Sequence, residues 1–421
     1  MNLILVTQSY PYILAAEQTF INQELPFLAN SFDQIFILPQ ITSGEKTIFY
    51  YPNIIIENGC SQAENKIYFK NTLIDLFKLK SGIRGLILHE IFLHPSMLIN
   101  FRKLLVMLRY LKKSYEFYLG IEKFIKNNNL SLSNTIFYTY WFSDTTLGLC
   151  ILKNKYPNAN IISRAHGIDL FEERHRYNYI PFRSIALKKI NAIFPCMEAG
   201  TNYFKNRYKS TSTIIKTSYL GFDDPEIINY PSNDDIFRIV SCSSVIALKR
   251  VDLIAKGIIE VLKFSPEIKI EWIHFGDGEL MDSIKKMASE ITSKNVNIIF
   301  KGQVNLVHIM EHYKNNHVDV FINVSSFEGQ PVSIKEAISY GIPIIATDVG
   351  GNSEIATEKN GILLSANPSP LEIANAIYWF IKNENKLLEF RKNSRILFLK
   401  KYNSSKVYPE FINKLKNLQT I

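Results

Sequence analysis

The sequence predicts an α/β protein built from two doubly wound domains, and three observations carry that prediction. Strand-like apolar runs alternate with helical patterns almost throughout the chain. Its 421 residues are too many for one ordinary domain and suit two of about 200 residues each. A polar break, residues 219–225 followed by 229–235, divides the strands into two sets. With 47% hydrophobic and 21% charged residues, the composition is that of a globular protein and not of a disordered one.

In the first set, strands are expected over residues 3–6, 34–38, 135–138, 161–163 and 192–194. In the second they are expected over 237–240, 269–273, 296–300, 318–324 and 343–347. These runs are rich in β-branched and aromatic residues, which fit a pleated, buried surface. The break gives a first domain over 1–223 and a second over 224–395. Helical residues follow the last strand, and 396–421 reads as a final helix in which Pro409 suits a kink.

The first residues, MNLILVTQSY, have no basic start and only a short apolar run, so a first strand is expected and not a signal peptide. No stretch approaches the roughly eighteen apolar residues of a membrane-spanning helix. Four cysteines, Cys60, Cys150, Cys196 and Cys242, lie far apart without metal-ligand spacing and suit free thiols in a reducing cytosol. A cytoplasmic protein is expected, with room for peripheral attachment to the inner face of the cell membrane.

The formal charge of +9 sits almost wholly in one segment, since residues 66–126 hold twelve Lys and Arg against four Asp and Glu. Within it, residues 101–113 read as a helix with Leu104, Leu105, Leu108 and Leu111 on one face. Arg102, Lys103, Arg109, Lys112 and Lys113 form the other. Such a helix can lie on anionic lipid, or it can be a core helix with a solvated basic face. No nucleic-acid recognition module accompanies the charge.

The most informative run is SSFEGQPVSIKEAISYGIPIIATDVGG, residues 325–351. A strand ends at Val324, and Phe327, Glu328, Gly329 and Gln330 form a turn. Pro331 opens a helix that continues through Val332 and Ser333 to Tyr340, Gly341 caps it, and a new strand runs to Thr347. Free N–H groups at such a helix start, beside a Gly-containing turn, cradle a phosphate or a sugar hydroxyl. Glu328 stands at the mouth of this cradle. Glu336, with seven residues between them, lies where a carboxylate can accept from a vicinal diol such as a ribose. Two neighbouring acids also suit general acid and base roles, and nothing in the run suggests a metal. An acidic turn with a surface glutamate is the plain alternative.

Other chemistry lies at strand ends. Lys249 and Arg250 follow the first strand of the second set, where two cations at a helix start suit a diphosphate. His166, in Arg164-Ala165-His166-Gly167-Ile168-Asp169-Leu170, has a glycine neighbour that allows close approach to a ligand. Arg164 and Asp169 read as residues that hold this loop. Tyr140 and Trp141 suit stacking on a sugar ring or a place in the core equally.

The run from the Phe-Glu-Gly turn to Asp348-Val349-Gly350-Gly351 closely resembles the E-x7-E element of retaining glycosyltransferases of family 4, the glycosyl transferases group 1. The resemblance reaches nearly the whole chain, more strongly in its second half, and points to the bacterial surface-polysaccharide type. It implies the GT-B fold, two Rossmann-like domains facing a central cleft, with a C-terminal helix crossing back to the first. It implies that Lys249, Arg250, Gly329, Gln330, Pro331, Val332, Ser333 and Glu336 bind the donor, and that Glu328 and His166 act on its sugar. Tyr10 and Glu17, with Tyr140 and Trp141, fall on the acceptor side. The implied donor is a nucleotide diphosphate sugar, used without cofactor or metal, and the implied acceptor a glycan or lipid-linked glycan. Same-face attack is implied, with the departing diphosphate oxygen taking the acceptor proton. Residues 301–304 match the stretch near the nucleotide base.

Two departures stand out. Ser244 replaces an arginine often found six residues before the second cation, and Leu14-Ala15-Ala16 replaces the glycines usual in the first loop. Two other functions fit the same residues: a nucleotide-sugar epimerase of this fold, and a non-catalytic sugar-nucleotide-binding partner of a membrane transferase.

Overall fold

Two compact units make up the chain, Met1–Leu220 with Tyr408–Ile421, and Gly221–Val407. The computed structural model describes residues 1–13, 17–47, 50–60, 81–209 and 212–418. The Leu14-Ala15-Ala16 loop and the stretch 66–80 of the basic segment lie outside the described residues.

A seven-stranded parallel sheet forms the first unit. Its strands are β1 (Asn2–Thr7), β2 (Gln34–Pro39), β3 (Ile54–Ile56), β4 (Thr135–Thr139), β5 (Asn160–Ala165), β6 (Ala192–Pro195) and β7 (Ile214–Ile215). Near-continuous apolar runs suit such strands, because a parallel sheet is covered on both faces. The spatial order is β3-β2-β1-β4-β5-β6-β7. The chain therefore winds outward from β1 to β3 and returns to β4 on the other side of β1. Leu5 lies opposite Ile37 on one side and Tyr138 on the other. This reversal opens a crevice beyond the C-terminal ends of β1 and β4.

Helices α1 (Glu17–Ala29), α2 (Ser81–Leu93), α3 (Phe101–Asn127) and α4 (Asp144–Leu152) belong to this unit. Asn100 caps α3, its side chain accepting from the Lys103 N–H at 3.1 Å. Met107, Leu108, Leu111, Phe117 and Ile121 of α3 are buried in the core. The lipid-facing reading of Leu108 and Leu111 is thereby corrected. They belong to the stripe that α3 lays on its neighbours, and the basic residues are its solvated face. From Tyr408 onward the chain joins this unit, where Phe411, Ile412 and Leu415 pack with Leu3, Leu25 and Tyr138.

The second unit has a six-stranded parallel sheet of order β10-β9-β8-β11-β12-β13. Its strands are β8 (Ile236–Cys242), β9 (Lys269–Phe275), β10 (Val296–Phe300), β11 (Val320–Asn323), β12 (Ile344–Thr347) and β13 (Gly361–Leu364). Here the reversal falls between β8 and β11. Helices α5 (Val251–Phe264), α6 (Val332–Ser339), α7 (Pro370–Lys382) and α8 (Glu384–Lys401) surround the sheet, and α9 (Ser404–Asn417) contains Pro409. Ile254, Ile258 and Val261 of α5 share a core with Ile373 and Phe380 of α7 and with Trp272 of β9.

Strands β3, β7 and β13 go beyond the sequence reading; they are 3, 2 and 4 residues long and lie at the edges of their sheets. The chain passes between units at Leu220–Gly221 and Val407–Tyr408, where the sequence reading put 223/224 and 395/396. Residues 396–407 stay with the second unit because α8 packs on α6. Among the described residues no helix is long and apolar enough to cross a membrane.

Candidate functional site

In the second unit, the loops after β8 and β11 meet at the crevice. Arg250 ends the first of these loops in a left-handed conformation, φ 49°. Its guanidinium donates to the carbonyls of Val324 at 2.7 Å, Ser325 at 2.8 Å and Ala366 at 2.9 Å, and to Asn367 Oδ1 at 3.0 Å. The Ser326 N–H donates to the Leu248 carbonyl at 2.8 Å. Loop carbonyls that would otherwise lack donors are thus satisfied across the crevice, and the two loops are tied together. Arg250 was expected on a diphosphate beside Lys249. In this structure four of its hydrogen bonds go to the loops.

Lys249 is the cation that reaches the crevice. Its Nζ stands 2.6 Å from Glu328 Oε1. The same oxygen accepts from Ser325 Oγ at 2.7 Å and from Asn323 Nδ2 at 3.1 Å. Glu328 Oε2 accepts from no described residue. The carboxylate is anchored through one oxygen and offers the other.

The backbone beneath Glu328 is fixed by close approach of a second loop. Gly350 has φ +53°, and a Cβ there would lie 1.7 Å from the Glu328 carbonyl oxygen. One at Gly351 would lie 2.4 Å from the Gly329 carbonyl oxygen. Only glycine tolerates both the angle and the contact. Pro331, expected as the first helical residue, is instead the N-cap of α6, with ψ 100°. Its extended ψ holds it one position outside the helix. The first N–H groups of α6, those of Val332 and Ser333, have no intrahelical acceptor. Gln330 is held from behind, its Oε1 accepting from the buried Lys335 ammonium.

One turn into α6 from Val332, on the same face, lies Glu336. It is 7% exposed, and its carboxyl has no hydrogen-bond partner among the described residues. Burial pushes its pKa up to about 7. A buried acid without a partner is an exception in a folded protein, and it suits a ligand that brings hydroxyl donors.

In the first unit the crevice holds a cavity of ≈ 310 Å³, lined among others by Thr7, Gln8, Trp141, Asp144 and Ile168. His166, at the end of β5, is 6% exposed. Its ring lies against Tyr140 at 4.9 Å and Trp141 at 4.3 Å between centroids. Neither ring nitrogen has a hydrogen-bond partner among the described residues. Asp169 holds this loop, accepting from the His166 N–H at 2.5 Å and the Phe142 N–H at 2.7 Å. Arg164 is buried behind it, paired with Glu24 at 3.0 Å and donating to Tyr138 Oη at 2.6 Å.

Three residues expected on the acceptor side are buried. Glu17 is fully buried and accepts from the N–H groups of Gln8, Ser9 and Tyr10 and from Trp141 Nε1 at 2.6 Å. Both its oxygens are occupied, because the turn after β1 has N–H groups that no strand partner satisfies. Tyr10 is buried, its hydroxyl donating to Asn22 Oδ1 at 2.8 Å, and Tyr140 is buried against His166. Trp141 alone of the four lines the cavity. Sequence reasoning missed Asn323 and Ser325 as the holders of Glu328; their polarity at a strand end was the available signal.

Residues 231–396 match the family model described as glycosyl transferases group 1. The second unit carries a glycosyl transferases group 1 domain. The chain is similar to a poly(ribitol-phosphate) alpha-N-acetylglucosaminyltransferase of Staphylococcus aureus, 26% identical over 231 residues, 53% of this chain and 44% of that protein. It is 36% identical over 116 residues to the O-antigen biosynthesis glycosyltransferase WbnH of Escherichia coli, 28% of this chain and 30% of that one. The chain thus spans less than half the length of these curated relatives. Among solved structures it is similar to HepE of Anabaena in complex with UDP and glucose, at 15% identity and a TM-score of 0.60, over 99% of each chain. That likeness is one of fold. Together with the two parallel sheets it assigns the group 1 domain and the first unit to the GT-B fold.

Proposed function

We propose that this chain transfers a sugar from a nucleotide diphosphate donor to a hydroxyl of a glycan or lipid-linked glycan, with retention at the anomeric carbon and no metal. The observation that carries this reading is the arrangement at the β8/β11 crevice. One cation, Lys249, and one anchored acid, Glu328, stand beside a free helix start, and the carboxyl of Glu336 waits without a partner.

In this reading the Glu336 carboxylate accepts from the ribose diol, and Lys249 neutralises the diphosphate as it departs. Glu328 and the N–H groups that follow it hold the sugar. The bond from the anomeric carbon to the diphosphate oxygen breaks, and the acceptor oxygen bonds to that carbon on the same face. The departing diphosphate oxygen takes the acceptor proton. Positioning and electrostatic stabilisation then supply most of the barrier lowering. The relatives named above for surface polymers and O-antigen support a bacterial surface glycan as the acceptor.

Thermal shift and calorimetry with a panel of nucleotide sugars, followed by turnover with and without a lipid-linked acceptor, test the proposal. Acceptor-dependent release of nucleotide diphosphate is expected. Conversion of the donor to its epimer without acceptor would establish an epimerase, and donor binding without turnover a non-catalytic partner.

A further inference from the structure

The pair of helices α2 and α3 presents a surface that the core does not use. On α2, Ile83 is buried, and Leu86, Ile87 and Ile91 pack against the core. Glu90 is buried too, accepting from Tyr179 Oη at 2.7 Å and the Phe182 N–H at 2.8 Å. The outward face carries large apolar residues too. Leu88 and Phe92, one turn apart, are 69% and 82% exposed, with Leu93 beside them. In the link to α3, Leu98 and Ile99 are 75% and 91% exposed. Arg84, one turn before Leu88, and His89 are exposed on the same helix, and large apolar residues held in water beside them mark an interaction surface.

Charge identifies the partner. Residues 81–116 contain six Lys and Arg against two acids, the buried Glu90 and Glu116, which pairs with Lys112. Arg102 and Arg109 are exposed on α3 beyond the link. Two copies of this chain meeting here about a twofold axis would set cations against cations. An anionic bilayer meets both requirements, since it accepts the apolar side chains and attracts the basic ones.

We propose that the α2–α3 pair docks the chain on an anionic lipid bilayer, with Leu88, Phe92, Leu98 and Ile99 entering the interface and Arg102 and Arg109 at the headgroups. This surface replaces the α3 face read from sequence, which the core buries. The binding stands on the surface alone; only its purpose, access to a lipid-linked acceptor, rests on the transfer reading.

The test is co-sedimentation of the 421-residue chain with phosphatidylcholine vesicles, with and without phosphatidylglycerol. Wild type is expected to bind the anionic vesicles and to lose them as salt is raised. The double variant Phe92→Ser, Ile99→Ser should partition at least tenfold less. Arg102→Gln with Arg109→Gln should lose about tenfold on anionic vesicles only. Both variants change exposed side chains, and unchanged melting temperatures will show that they fold. Wild type left in the supernatant at low salt, or an apolar variant that binds like wild type, overturns the proposal. So does a wild-type dimer that the apolar variant splits in sedimentation velocity. Calorimetry with UDP on the same proteins reports the transfer reading separately, since its failure leaves the vesicle result standing.

Discussion

The two units repeat one topology, a parallel sheet whose winding reverses beside its first strand, yet they furnish the resulting crevices differently. In the second unit charged groups converge, Lys249 on Glu328, with Glu336 buried nearby on α6. In the first unit two of the acids near the crevice are committed inward, Glu17 to the turn after β1 and Asp169 to the His166 loop, while Asp144 lines the cavity. The cavity is also lined by Trp141, with the His166 ring tilted against it, and by uncharged polar side chains such as Thr7, Gln8 and Ser143. Lys113 and Asp144 bring charges of opposite sign to it. The same fold thus pairs a lysine with a glutamate in one crevice and commits two acids to its own backbone in the other. The distinction lies in which side chains the loops after the strands consume for their own support.

Breaking the crevice of the second unit should give the largest effect. Glu328→Gln is expected to reduce transfer by about a thousandfold, near 4 kcal/mol, while affinity for the nucleotide diphosphate holds or tightens because Lys249 is released. Steady-state kinetics beside calorimetry checks this, and a parallel loss of nucleotide affinity would make Glu328 a structural residue. His166→Ala tests the crevice of the first unit. We expect turnover to fall about a hundredfold with donor affinity kept, and a variant with full turnover would return His166 to a loop-supporting role.

Lys249→Gln should weaken a nucleotide diphosphate about tenfold to a hundredfold, the range of a charge-assisted hydrogen bond, and leave the nucleoside untouched. Equal losses for the two ligands would remove Lys249 from the diphosphate. The smallest effect concerns protons. Burial disfavours the Glu336 carboxylate, so below its pKa of about 7 the free protein holds a proton there. A ribose diol donates to the ionised form and must expel that proton. Affinity for a nucleotide sugar is therefore expected to rise about tenfold from pH 6 to pH 8, with proton release on binding below pH 7. Glu336→Gln should flatten this profile, and calorimetry in two buffers of different ionisation enthalpy reads it directly.

Much of this was legible in the sequence. The long central strands, the Phe-Glu-Gly turn and the cap at Gly341 are local patterns, and local patterns survive in one dimension. The fates of Arg250, Glu17 and Tyr140 were not legible. Each depends on which backbone groups a distant loop leaves without partners: the Arg250 acceptors lie over seventy residues away, and Trp141 reaches Glu17 across 124. The face of α2 was hidden for the opposite reason, because a run of apolar residues looks the same whether the fold encloses all of it or only half.

The ion pair between Lys249 and Glu328 has a consequence for selectivity. With the crevice empty, its two working charges cancel each other. A bare anion such as orthophosphate can take the lysine only by drawing it off the glutamate, which Ser325 and Asn323 alone would then hold, so part of what it gains from one it loses on the other. A diphosphate already joined to a sugar answers both at once, anion to ammonium and hydroxyl to carboxylate. The site then behaves as a two-key lock, deaf to the abundant simple anions around it. Inhibition by orthophosphate should accordingly be weak in the wild-type chain and stronger in Glu328→Gln.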